Sequence, residues 1–150
     1  MQEGDPATVA RAVADLMWAE DRASAGLGMR IESVGPGCAV LSMTVTERMV
    51  NGHGMCHGGF IFTLADSAFA FACNSHGEKA VAQHCAITFL RPGRLHEVLR
   101  AEATERVQQG RSGITDVRVT GTDGEIVAEF RGHSRNLGER FLPAATNQPG

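Results

Sequence analysis

Apolar positions Val9, Val13, Leu16 and Met17 recur at helical spacing between about Ala7 and Glu20, which predicts a short amphipathic helix. Met29–Val34 and Cys38–Thr46 are β-rich runs split by Gly35-Pro36-Gly37, a hairpin signal. The loop Glu47–Cys56 leads into a second helix over about His57–Asn74. That helix is apolar nearly all round, with Ala65, Ala68, Ala70 and Ala72 giving it a narrow waist, so it is expected to be buried by a sheet. After Gly77 come the β-like runs Ala80–Leu90, Glu97–Val107, Ser112–Thr120 and Ile126–Ser134. Arg91-Pro-Gly-Arg94, Gln109-Gly110 and Asp123-Gly124 separate them as turns. Leu99/Ala101/Ala103 and Val117/Val119 alternate as strands with one face on a core do. The order is α, ββ, α, ββββ. It predicts an α+β fold, a long antiparallel sheet around one central helix, with an unstructured tail over about 141–150.

The 150 residues suit a single domain, 1–150, with a real core. A net charge of −3 supplies no basic field, so neither nucleic acid nor an anionic membrane is an expected partner. The start, Met1-Gln-Glu-Gly-Asp-Pro6, lacks the basic and apolar regions of a signal peptide, and no apolar run reaches transmembrane length. Cys38, Cys56, Cys73 and Cys85 form no CxxC pair and read as free thiols of a cytoplasmic protein.

The densest chemistry lies between Asn51 and Asp66, where an amide, a histidine, a glycine pair and a carboxylate cross from a loop into the apolar helix. Gly58-Gly59 brings backbone N–H groups to the helix N-terminus, where developing negative charge is held. Asp66 interrupts the apolar run Phe60–Cys73, where an ionised carboxylate is costly unless it is paired or chemically employed. The segment reads as a site for attack on a carbonyl. Taken singly, each residue has a plainer reading: Asp66 as an ion-pair carboxylate, Asn51 as a turn residue, His57 as part of a helix cap. His53-x-x-Cys56-His57 and Cys73-x-x-His76 have zinc-like spacing. His57 and Cys73 nevertheless fall roughly 24 Å apart on one helix, so no metal is expected.

Asn51-…-His57-Gly58-Gly59-…-Asp66, with Ala80-Val-Ala and Phe89-Leu-Arg-Pro-Gly93, resembles the hotdog-fold acyl-CoA thioesterases of the phenylacetate-pathway (PaaI-like) type. The likeness spans roughly residues 28–136 in element order as well as motif. It implies a hotdog fold and hydrolysis of acyl-CoA thioesters, with phenylacetyl-CoA and its ring-hydroxylated relatives as leading substrates. By that resemblance Asp66 is the nucleophile or general base, Gly58 and Asn51 polarise the carbonyl, and His57 assists the departing thiolate. Gly59 joins the substrate-binding set. Where the family often has a small hydroxyl residue to orient water, this chain has Gln83 and His84, and Gln83 is the polar substitute. Coenzyme A contacts are expected at Arg91, His133 and Ser134. No cofactor is implied.

Spacing adds an assembly requirement. Gly58 and Asp66, eight residues apart, are roughly 12 Å apart along one helix. Both reach a single thioester only if two subunits contribute, which predicts a homodimer with shared sites; a homotetramer is expected beyond it. The alternatives are a 4-hydroxybenzoyl-CoA or medium-chain acyl-CoA thioesterase, and a non-catalytic acyl-CoA-binding module.

Overall fold

A computed structural model describes residues 4–142. Helix α1 (Pro6–Glu20) starts where expected: the Asp5 carboxylate accepts the Thr8 N–H at 3.1 Å and Pro6 occupies the first turn. A short helix α2 (Arg22–Gly26), not anticipated from the sequence, follows at once and is capped by Asp21, which accepts the Ser24 N–H at 2.9 Å. Strands β1 (Arg30–Gly35) and β2 (Cys38–Thr44) form the hairpin. A 3-10 turn at Glu47–Met49 and an irregular loop lead to α3 (Gly58–Cys73). The remaining strands are β3 (Glu78–Phe89), β4 (Val98–Gln109), β5 (Ser112–Thr120) and β6 (Ile126–Arg140).

All pairings are antiparallel and the sheet order is β1-β2-β4-β5-β6-β3. The chain crosses the sheet face as α3 before β3 forms, so β3 lands beyond β6 as a long outer edge. Leu64, Ala65, Ala68, Phe69 and Ala72 of α3 are buried with Leu41, Met43, Leu99, Ala101, Val117, Val119 and Phe130 from the strands. This is the sheet-around-helix, hotdog architecture. Its close approach depends on Gly132: a Cβ there would lie 2.6 Å from the Phe69 ring, so only glycine lets the helix sink that far.

Two details differ from the sequence reading. The helix is not covered all round, because Phe62, Thr63, Asp66 and Ala70 are only half-buried and lie on one stripe at helical spacing. Strand β6 continues past Ser134 to Arg140, held by pairing with the start of β3 (Ala80↔Asn136, Glu78↔Arg140). At the head of the expected tail, the Phe141 N–H donates to Gly77 O at 2.9 Å and its ring sits 5.5 Å from Lys79 Nζ. The rest of that tail, 143–150, lies outside the described residues.

Asn74 fastens the end of α3 to the start of β3. Its Nδ2 donates to Ala70 O at 2.8 Å and to Ala80 O at 3.2 Å, and its Oδ1 accepts the Ala80 N–H at 2.8 Å.

Candidate active site

The loop before α3 is folded by its own polar groups. The Asn51 N–H donates to Met55 O at 2.8 Å, and Gly54 turns the chain in the left-handed region at φ +74. The Asn51 Oδ1 accepts the N–H groups of His53 at 2.9 Å and Met55 at 3.2 Å. Those donors fix which end of the amide is oxygen. The Nδ2 group is left without a partner among the described residues. Asn51 is therefore both a turn residue and an available donor. Cys56 N–H to Gly93 O and His57 N–H to Met49 O, both 2.7 Å, anchor the loop on either side.

His57 is the N-cap of α3, its Nδ1 accepting the Gly59 N–H at 3.1 Å. The Gly58 N–H, in the first turn and at the positive end of the helix, has no partner among the described residues. Gly58 and Asn51 line one cleft of about 490 Å³, together with Ile61, Phe89 and Arg91. Two of the expected carbonyl-polarising groups thus share a cavity, in an arrangement that can stabilise an oxyanion.

Asp66 projects from the half-covered stripe of α3 and does not line that cleft. It has no hydrogen bond or ion pair among the described residues, and burial pushes its carboxyl above the ordinary value. Its charge in turn helps raise the thiols of Cys85 on β3 and of Cys73, the latter pushed up to about 12 chiefly by burial. An unpaired, half-buried carboxylate has the properties of a base for water rather than of a structural ion pair.

The remaining expected residues are dispersed. Gln83 is exposed at a register shift between β3 and β6. His133 lies on the outer sheet face, where its ring meets His84 edge-on at 5.4 Å. Ser134, the next residue, points to the opposite face and is 2 % exposed, so these two do not share a site. Arg91 borders the cleft, but its guanidinium is engaged with Glu97 at 2.7 Å, Asp123 at 2.8 Å and Glu125 at 3.5 Å. Gly59 is committed to the His57 cap. Among the described residues no cluster of three or more His, Cys, Asp or Glu side chains is placed to hold a metal. Phe89 lines the cleft although the sequence motif does not mark it as a site residue. Its place at the end of a strand, on the face toward α3, is the available signal.

The sequence profile of the thioesterase superfamily matches residues 53–128. The chain is 46% identical over 125 residues to the acyl-coenzyme A thioesterase PaaI of Escherichia coli, covering 83% of this chain and 89% of that one. The solved structure of the E. coli PaaI protein from the phenylacetic acid degradation operon superposes with a TM-score of 0.89 at 43% identity, over 91% of this chain and 99% of that one. A hypothetical thioesterase from Streptococcus pneumoniae, solved with coenzyme A, superposes with a TM-score of 0.72 at 28% identity, over 75% of this chain and 88% of that one.

Proposed function

This chain belongs to the thioesterase superfamily and is an acyl-CoA thioesterase, and we propose that its preferred substrates are phenylacetyl-CoA and ring-hydroxylated phenylacetyl-CoA. The observation that carries the catalytic reading is the pairing of an unpartnered Gly58 N–H with an unpartnered, half-buried Asp66 on the same helix. The substrate reading is supported by the likeness to the PaaI protein of E. coli, named for a phenylacetic acid degradation operon.

In this reading Asp66 removes a proton from water as the water oxygen attacks the thioester carbonyl carbon. The carbonyl oxygen, now an oxyanion, is held by the Gly58 N–H and the Asn51 Nδ2 group. Collapse breaks the carbon–sulfur bond, and the coenzyme A thiolate leaves toward the N–H of His57 Nε2. The products are a carboxylic acid and free coenzyme A, with the proton held by Asp66 returned to solvent or sulfur. No cofactor takes part.

The separation of roughly 12 Å between Gly58 and Asp66 along α3 supports sites shared between two subunits of a homodimer, and this reading extends the assembly to a homotetramer. The long β3 edge, with Val81 47% exposed, and the half-covered Asp66 stripe support that assembly. Four unpaired cysteines fit a cytoplasmic location.

The test is thiol release from phenylacetyl-, 3,4-dihydroxyphenylacetyl-, 4-hydroxybenzoyl- and hexanoyl-CoA, with wild type beside Asp66→Asn. Turnover of the aryl-acetyl esters and a loss of ~10³-fold or more in the variant are expected. Binding without thiol release would make the chain a binding module. Single turnover in labelled water is expected to put solvent oxygen directly into the acid product; label appearing in the Asp66 carboxylate would indicate a covalent anhydride instead.

A further inference from the structure

The three atoms nearest to where a side chain on Gly58 would begin all belong to Phe89. A Cβ built on Gly58 would lie 2.9 Å from Phe89 Cζ and 3.3 Å from both Cε atoms, so the far edge of the ring rests on the backbone of that residue. Phe89 is the last residue of β3 and shares the cleft with Asn51, Met55 and Ile61. It is nevertheless 48% exposed, and it stacks on no other ring among the described residues. A half-bare phenyl face beside a vacant N–H is an apolar surface in search of an apolar partner.

We propose that Phe89 determines specificity: its ring forms the wall of the acyl slot and favours flat aryl-acetyl groups over aliphatic chains. The inference rests on the reading that Gly58 receives the thioester carbonyl. A carbonyl oxygen accepting from Gly58 stands about 2.9 Å from that nitrogen. In an aryl-acetyl ester the aromatic ring begins one methylene beyond the carbonyl carbon. That brings it within reach of Phe89 for an offset or edge-on aromatic pair, whose centroids lie roughly 4.5–7 Å apart. A straight alkyl chain meets the same wall by contact area alone.

Two variants separate this from simple packing over the end of α3. Phe89→Leu keeps apolar bulk and removes the π-face; Phe89→Ala removes both. The ratio of kcat/KM for phenylacetyl-CoA to that for hexanoyl-CoA is expected to fall about tenfold in Phe89→Leu, the phenylacetyl value dropping further than the hexanoyl one. An unchanged ratio in both variants overturns the proposal. The same comparison is made by calorimetry with non-hydrolysable ketone analogues of the two esters. If wild type hydrolyses neither ester, the thioesterase reading fails by itself, and the analogue affinities decide on Phe89. An aryl preference present in wild type and lost in Phe89→Leu upholds the proposal. A preference that is absent, or that survives the substitution, overturns it.

Discussion

The Nδ1 of His57 accepts the Gly59 N–H at 3.1 Å, so one ring nitrogen caps α3 while the other, in the neutral ring, carries a proton that the proposed mechanism directs toward the leaving sulfur. The two duties are separable. His57→Asn retains a strong capping side chain and is expected to melt near wild type, whereas His57→Ala loses about 1 kcal/mol. Both are expected to lower kcat, because neither supplies the Nε2 donor. Thermal melts beside single-turnover rates check this; wild-type kcat in His57→Asn would remove the ring from the chemistry.

In the proposed mechanism Asp66 ties activity to pH, and its burial costs stability. Burial raises its carboxyl above the ordinary 3.8, so folding disfavours the ionised form relative to the unfolded chain. The penalty for ionising it is absent in strong acid and grows as pH rises through the raised value. Asp66→Asn is therefore expected to raise Tm at neutral pH, with the gain shrinking toward acid. The acid limb of the kcat/KM profile should lie above 3.8. A limb below that value, or a lower Tm in the variant, would contradict Asp66 as the ionised base.

Two glycines touch phenyl rings with opposite consequences. A Cβ on Gly132 would sit 2.6 Å from Phe69, which is 1% exposed and has nowhere to go. Gly132→Ala is expected to cost about 1–3 kcal/mol. The ring opposing Gly58 is half-exposed and free to swing outward, so Gly58→Ala should melt near wild type. Its kcat/KM should still drop at least tenfold as the methyl and the displaced ring crowd the carbonyl subsite. Denaturant melts and kinetics on the two variants provide the contrast.

Arg91 is held by Glu97, whose side chain is 8% exposed against 12% for the arginine. The arginine holds the Glu97 carboxyl below the usual range, first through their hydrogen bonds. Arg91→Ala leaves that carboxylate with only the N–H groups of Arg94 at 3.0 Å and Thr122 at 3.2 Å and is expected to cost about 1–3 kcal/mol. The stabilisation is present above the ordinary glutamate pKa and lost as pH falls through the lowered one, so the Tm gap between wild type and variant should close in acid. A variant with unchanged Tm and a much higher KM would make Arg91 a coenzyme A ligand instead of a clamp.

The sequence located what depends on neighbours along the chain. The glycine pair before an apolar run placed α3 within a residue of its observed ends, and β5 falls on the expected Ser112–Thr120. It did not locate what depends on distant strands. Arg135–Arg140 looks like a polar turn, with Gly138 at φ +78, and is strand only because β3 lies alongside. Arg91 looks like a solvated turn arginine because its partners lie 6, 32 and 34 positions away. His133 and Ser134, by contrast, were separable in advance: adjacent strand residues face opposite ways.

The Asn74 clamp makes the short span from α3 to β3 a joint without slack. A residue inserted between Ser75 and Gly77 has either to break the two hydrogen bonds between Asn74 and Ala80 or to slide β3 by about 3.3 Å and turn its side chains to the wrong faces. The same insertion between Gln109 and Gly110 only enlarges an exposed hairpin turn. Growth in chain length is harmless at one connection and ruinous at the other.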